Sequence, residues 1–215
     1  MKIFEKSLGQ SYYYFAICEA EHYEKVENYI NQISNVWDTM VKVFGLKPRF
    51  KRYFVVFSNQ DHNNKEYSGA FYLPNGLIFM KPDDPVICNN PDYVWGGVIH
   101  ETLHAFLEPL KWYPGGQLDY QHQNFIEGKN NNQEGFNLIL QKEIYRNLNK
   151  QELITKLEDE QKNNTFFKTL SSVVKEKGVE VVQKLFKKMD TNELQIKTNE
   201  WDNKSDEEAL RNLLS

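Results

Sequence analysis

The chain carries the pattern H-E-x-x-H at residues 100–104, inside an apolar run. Residues four apart project from the same face of an α-helix, so a helix here would bring both imidazoles to one place. Glu101 is the only charged residue between Val94 and Ala105. A solvated surface helix has a polar face, whereas this stretch is apolar almost all round, which predicts a buried helix beside a cleft.

The sequence also predicts where this helix begins and ends. Asn90 can cap a helix whose first position is Pro91, because a proline there leaves no backbone N–H unsatisfied. Pro109 cannot continue the helix, so it should end near Glu108. We therefore predict a helix over about 91–108, with the H-E-x-x-H pattern in its C-terminal half.

The two histidines and the glutamate of this pattern predict a metal site. Neutral imidazole is a common zinc ligand, and two imidazoles on one helix supply half of a tetrahedral site. Glu101 lies one residue further along, where its carboxylate can accept a hydrogen bond from a water on the metal. We therefore predict Zn²⁺ on His100 and His104, with Glu101 as the catalytic general base. The alternative is a core helix whose two histidines bind no metal.

Catalytic zinc usually has a third protein ligand, and the sequence favours one class of proteins for it. Metzincins place a third histidine six residues after the second, following a glycine, but Leu110 and Leu107 occupy those positions here. The segment Q-E-G-F-N over 133–137 resembles instead the W-L-N-E-G-F-A run of gluzincin aminopeptidases and peptidase-MA-like proteins. In that family the glutamate binds zinc, so the resemblance implies Glu134 as the third ligand.

A second glutamate, Glu127, competes with Glu134 for this role. Glu134 opens a segment in which apolar residues recur at helical spacing: Phe136, Ile139, Leu140 and Ile144. A packed helix holds a ligand better than a loop does, and Glu127 lies in a polar, asparagine-rich stretch without periodicity. Glu134 is therefore preferred, while Glu127, Asp119, His122 and a site without a third protein ligand remain alternatives.

The hydrophobic pattern before the H-E-x-x-H helix predicts a β-α-β unit followed by a hairpin. Strands are predicted over 12–18 and 52–57, on either side of a long helix over 20–44, and such a crossover favours parallel strands. Asn75-Gly76 between two apolar runs predicts a hairpin over 70–80. Helices are predicted over 133–148, 150–161, 165–177, 179–189 and 205–214, with loops over 60–66, 110–132 and 190–204.

This order of elements is similar to the zincin plan, most closely to that of the small gluzincins and peptidase-MA-like proteins. The resemblance implies an α+β fold with two lobes and an active-site cleft between them. Residues 1–108 would form an N-terminal lobe, with a small mixed sheet, helices and the active-site helix. Residues 109–215 would form an all-helical C-terminal lobe, and we expect the two lobes to be one compact catalytic unit.

The resemblance implies a zinc metallopeptidase that cleaves peptide bonds in an extended substrate. The hairpin over 70–80 would supply the edge strand with which the substrate backbone pairs. With zinc on His100, His104 and Glu134, Glu101 would take a proton from the attacking water and pass it to the leaving amine. An oxyanion donor is available among several downstream side chains: Tyr113, Tyr120, His122 and Tyr145.

Particular residues bear on two further questions: whether the enzyme is an endopeptidase or an aminopeptidase, and whether the domain is active at all. The strand before the motif lacks the G-x-M-x-N segment with which gluzincin aminopeptidases bind a free amine, and this slightly favours an endopeptidase. The alternative function is a catalytically inactive zinc-binding domain of peptidase ancestry that binds or regulates other proteins. Glu101 favours catalysis, because a purely structural zinc site does not need it.

Composition excludes other classes of protein. A chain of 215 residues can bury a substantial core, and its net charge of −4 argues against a nucleic-acid-binding surface. No apolar segment follows Met1-Lys2 and no run of 18 apolar residues occurs, so we expect a cytoplasmic protein without membrane contact. Cys18 and Cys88 are isolated, which predicts free buried thiols.

Overall fold

The chain folds as a mixed α+β structure, in agreement with the predicted class. The structure, a computed structural model, describes residues 1–60, 69–73, 75–88, 91–107, 131–191 and 211–212. The chain divides into two units. The first comprises Met1–Met40 and Pro48–Phe106, and the second comprises Val41–Lys47 and Leu107–Ser215.

A five-stranded mixed sheet lies in the first unit, with strand order β1-β2-β3-β5-β4. Its strands are β1 (Lys2–Leu8), β2 (Tyr12–Cys18), β3 (Arg52–Phe57), β4 (Ala70–Leu73) and β5 (Leu77–Met80). β2 and β3 are parallel, which confirms the predicted crossover, and β3 and β5 are parallel as well. β1, which the sequence pattern does not predict, and β4 are antiparallel to their neighbours and form the two edges of the sheet in the described part of the chain.

The predicted hairpin is formed by β4 and β5, in which Tyr72 lies opposite Ile78. Its turn needs the predicted Asn-Gly pair, because Asn75 has φ +67° and Gly76 has φ +75°. A Cβ added to Gly76 would lie 3.1 Å from the carbonyl oxygen of Arg52, so the site also leaves little room for a side chain.

Helix α1 (Tyr23–Phe44) packs on one face of the sheet, which is buried along its central strands. A short 3-10 turn, Ala20–His22, precedes α1, so the predicted helix over 20–44 is confirmed apart from its first turn. Trp37 on α1 contacts the rings of Tyr14 and Tyr53, with centroid distances of 6.4 and 5.5 Å. The buried face consists of side chains that alternate along the central strands: Tyr14, Ala16, Cys18, Tyr53, Val55, Phe57, Ile78 and Met80.

The H-E-x-x-H pattern lies on helix α3 (Pro91–Leu107), which confirms the predicted helix over its described residues; Asn90 and Glu108 lie outside them. Phe106 fixes the end of α3 on the sheet unit, with ring centroids 5.3 Å from Trp37 and 6.1 Å from Tyr53. A four-residue helix, α2 (Pro85–Cys88), precedes α3 and is not predicted from the sequence.

The second unit is helical over its described residues. Its helices are α4 (Asn131–Asn147), α5 (Gln151–Glu160), α6 (Thr165–Lys177) and α7 (Glu180–Asp190). They match the four predicted helices within two residues at each end. Of the helix predicted over 205–214, only 211–212 are described, and both residues are helical. The loops predicted over 60–66 and 190–204 lie largely outside the described residues, as does the part over 110–130 of the third, whereas 131–132 belong to α4.

The core of the second unit is built around Phe136 on α4. Its ring lies 5.2 Å from that of Phe166 and 5.4 Å from that of Phe186. Asn164 caps α6, because its side-chain oxygen accepts a hydrogen bond of 3.0 Å from the backbone N–H of Phe167. Among the described residues, no helix is both long and apolar enough to cross a membrane.

Candidate metal centre

Helix α3 brings the two histidines of the pattern together, as their spacing predicts. The Nε2 atoms of His100 and His104 are 3.1 Å apart. Their rings are 4.8 Å apart at an interplanar angle of 79°, and both side chains are half-buried. Two ring nitrogens therefore point to one place at the edge of the first unit's core.

The separation of these nitrogens fits a bound zinc ion. Zn–N bonds of about 2.0–2.1 Å in a tetrahedral site place two ligand nitrogens about 3.3 Å apart. The observed 3.1 Å is close to this value, so the imidazoles fit Zn²⁺ with little movement of either side chain. In the metal-free protein the same separation suits an N–H···N hydrogen bond between the two rings.

Glu101 follows His100 directly on α3, and this residue is only 7% exposed. A glutamate on a solvated helix face would keep its carboxylate in water, because burial of an ionised group is costly. The burial of Glu101 therefore excludes a purely solubilising role. Since residues 100 and 101 are adjacent on α3, the carboxylate lies on the helix face next to the imidazoles.

The middle of the pattern is hydrogen-bonded to the sheet. The hydroxyl of Thr102 donates to the carbonyl oxygen of Val98 at 2.6 Å, and the hydroxyl of Tyr14 contacts the same Thr102 oxygen. The single hydroxyl proton of Thr102 is used on Val98, so Tyr14 is the donor to Thr102. Burial raises the pKa of Tyr14 well above its usual range, partly offset by this hydrogen bond, and keeps the donor protonated.

Edge strand β4 brings an aromatic ring to the histidine pair. The ring of Tyr72 lies 6.3 Å from that of His104, with an interplanar angle of 14°. The hydroxyl of Tyr72 accepts a hydrogen bond of 3.0 Å from the backbone N–H of Gly76. The sequence predicts the hairpin but not the contact of Tyr72 with His104. Successive side chains of a strand project to opposite faces, so the pairing of Tyr72 with buried Ile78 shows only that Tyr72 is on the covered face of the sheet.

The preferred third ligand lies in the second unit. Glu134 belongs to the first turn of α4, and its side chain is outside the part of the structure that is described. The alternatives Glu127, Asp119 and His122 also lie outside the described residues. Among the side chains that are described, no group of three His, Cys, Asp or Glu residues is placed to hold a metal ion, and that set does not include any of these four.

Of the four candidate oxyanion donors, the structure describes Tyr145. Tyr113, Tyr120 and His122 lie outside the described residues. Tyr145 is on α4, 4% exposed, and its hydroxyl accepts a hydrogen bond of 2.6 Å from the side-chain nitrogen of Gln141.

Cys18 is a free buried thiol, as predicted, and the side chain of Cys88 is not among those described.

No protein-family model matches this chain, and searches of curated proteins and of solved structures found no match. The family resemblance implied by residues 100–104 and 133–137 therefore stays a prediction. The case for a function depends on the residues around the histidine pair and on their geometry.

Proposed function

We propose that this chain is a zinc-dependent metallopeptidase of the gluzincin type. His100 and His104 would hold the metal, with Glu134 as the preferred third ligand. The observation that carries the proposal is the 3.1 Å separation of the two imidazole nitrogens, with Glu101 buried beside them on the same helix. Two imidazoles and a carboxylate form a donor set that zinc accepts in catalytic sites.

A zinc ion bound there would supply two kinds of chemistry, because it lowers the pKa of a bound water to about 7 and polarises a carbonyl group. The chain's own contribution is the proton transfer by Glu101. Its carboxylate would accept a proton from the attacking water and deliver it to the leaving amine nitrogen. The water's oxygen and second hydrogen stay with the acyl carbon, so the products are a carboxylic acid and an amine.

The edge of the sheet supports an extended peptide as the substrate. The backbone N–H of Lys81 donates to the carbonyl oxygen of Gly69 at 2.9 Å, which makes these two residues a hydrogen-bonded pair of the hairpin. Such pairs alternate along an antiparallel ladder, so the backbone N–H and C=O of Ala70 are directed away from β5. No other strand pairs with that side of β4 among the described residues, so a peptide strand can be added there.

Within this class we propose an endopeptidase. The segment before the H-E-x-x-H helix lacks the G-x-M-x-N residues with which gluzincin aminopeptidases bind a free amine. A peptide that lies along β4 also needs no free terminus, because strand addition uses backbone groups.

Cleavage of a peptide library by wild type and by Glu101→Gln tests this proposal. Gln keeps the size of the side chain but cannot take a proton, so turnover should fall about 10²–10⁴-fold while zinc content stays unchanged. Glu152→Gln on α5, at an exposed position, is the matched control and should cleave like wild type.

Three outcomes separate the possible functions. Internal cleavage by wild type and not by Glu101→Gln supports the endopeptidase. Zinc binding without cleavage of blocked or unblocked peptides would favour an inactive zinc-binding domain. Equal cleavage by wild type and by zinc-loaded Glu101→Gln would show that Glu101 is not the base.

A further inference from the structure

We infer that Tyr72 is a positioning residue for His104: its ring holds the plane of the imidazole whose Nε2 lies beside that of His100. This inference rests on the proposed zinc site and deepens it. It would make the edge strand part of the metal centre as well as a surface for the substrate. Tyr72 has no place in the metal-ligand set or in the proton transfer.

The sheet geometry directs Tyr72 toward the histidines. Tyr72 lies opposite Ile78, whose side chain is completely buried on the face of the sheet that α1 and α3 cover. Its neighbour Phe71 projects to the other face and stacks on Phe79, with centroids 5.0 Å apart and an interplanar angle of 5°. Strand β4 therefore carries two stacked aromatic rings, and only Tyr72 stacks on a residue of the metal site, His104.

The ring of Tyr72 is itself held in place by the hairpin turn. Its hydroxyl accepts the backbone N–H of Gly76 at 3.0 Å, and the carbonyl oxygen of Gly76 accepts the N–H of Phe54 at 2.8 Å. Gly76 thus ties the turn to β3 on one side and to the hydroxyl of Tyr72 on the other. A tyrosine held at both ends, by its backbone in β4 and by its hydroxyl at the turn, has little freedom to rotate.

A fixed ring parallel to His104 limits the orientations that the imidazole can adopt. Rotation about χ2 would exchange the positions of the ring nitrogens and carbons, and a flat ring packed at a 14° angle disfavours the intermediate tilted orientations. Ordering the ligand before the metal arrives removes part of the entropic cost of binding. Groups that orient metal ligands through hydrogen bonds typically contribute about 10–100-fold to metal affinity, and we expect the stacked ring to contribute at the lower end of this range.

Zinc affinity, measured by competition with a chelator, tests this role in three variants. Tyr72→Leu removes the ring and should weaken zinc binding about tenfold or more. Tyr72→Phe keeps the ring but loses the hydroxyl contact with Gly76, so the loss should be smaller. Phe71→Leu is the matched control, because it removes the other stacked ring of β4, and its zinc affinity should equal that of wild type.

The visible spectrum of bound Co²⁺ gives a second readout, because cobalt reports the geometry of its ligands. We expect a changed spectrum in Tyr72→Leu and a wild-type spectrum in Phe71→Leu. If Tyr72→Leu does not fold, Tyr72→Met fills the same half-buried position without a planar ring and replaces it.

The possible failures are distinguishable. If wild type binds zinc and Tyr72→Leu has the same affinity and the same cobalt spectrum, the positioning role is wrong and the zinc site stands. If both β4 variants lose affinity equally, the effect comes from the strand as a whole and the inference also fails. If wild type binds no zinc, both the inference and the proposed function are overturned.

Discussion

Helices α3 and α4 have the same length, 17 residues, but they are stabilised in different ways. α3 is held by the sheet unit through apolar and hydroxyl contacts, such as those of Phe106 with Trp37 and of Thr102 with Tyr14. α4 combines an apolar contact around Phe136 with several buried polar side chains: Asn137, Gln141, Lys142 and Glu143.

Lys142 and Glu143 of α4 find partners within the second unit. Lys142 forms an ion pair with Glu158 at 2.6 Å and a hydrogen bond with Ser171 at 3.1 Å. Glu143 pairs with Arg146 on the same helix. Each unit therefore stabilises its own candidate ligand helix, and the histidine pair and Glu134 can be tested separately.

The largest expected effect concerns the ligand proposed on α4. Glu134→Ala should lower zinc affinity by more than about 100-fold, since loss of a ligand exceeds the effect of its neighbours. Glu127→Ala is the matched control and should retain zinc. Chelator competition measures both, and a loss in Glu127→Ala alone would transfer the ligand role to Glu127.

Two glycines give a structural contrast between the helices. A Cβ added to Gly135 of α4 would lie 2.2 Å from Cδ1 of Phe166, so Gly135→Ala should destabilise the protein by about 1–3 kcal/mol. A Cβ added to Gly97 of α3 would meet, among the described residues, only the Cε of Met80, at an ordinary 3.5 Å. Gly97→Ala should stabilise it by up to about 1 kcal/mol, because alanine favours helix.

Thermal or urea unfolding measures this pair of changes. Equal effects in the two variants would show that α3 and α4 are packed equally tightly at their glycines, and the contrast would be lost. Zinc affinity of Gly135→Ala would show in addition whether a displacement next to Glu134 reaches the metal.

A smaller difference in the free energy of unfolding is expected between phenylalanine substitutions at two buried tyrosines of the sheet unit. Tyr14→Phe removes the hydrogen bond to Thr102 and should cost about 0.5–1.5 kcal/mol in free energy of unfolding. The hydroxyl of Tyr53 is buried and has no hydrogen-bond partner among the described residues. Tyr53→Phe should therefore be neutral or slightly stabilising.

Urea unfolding of the two variants side by side checks this prediction. A cost for Tyr53→Phe as large as that for Tyr14→Phe would contradict it. Because Tyr14 contacts Thr102, the residue next to Glu101, the zinc affinity of Tyr14→Phe also tests whether this hydrogen bond affects the metal site.

Local patterns in the sequence predict most of the described strands and helices correctly. The alternation in β2 and β3, the Asn75-Gly76 turn and the helical periodicity of α1 and α4–α7 all depend on near neighbours, so one sequence is enough. β1 is missed because Leu8 is its only fully buried residue, so it lacks a strong apolar pattern. The short α2 is missed because four residues carry no periodicity.

The candidate site is predictable only in part, for a related reason. His100 and His104 meet because they are one helical turn apart, and the spacing alone shows this. Tyr72 meets His104, and Tyr14 meets Thr102, through contacts between residues far apart in the sequence. The pattern of a strand shows which face a residue occupies, but it does not show which helix residue lies opposite.

The zinc content of the purified protein tests the central claim most directly. We predict one zinc ion per chain in wild type and in His22→Ala, a control at a buried histidine outside the H-E-x-x-H pattern. The double variant His100→Ala/His104→Ala should contain none. Absence of zinc from wild type after incubation with the metal, or one zinc retained by the double variant, would contradict the proposed metal centre.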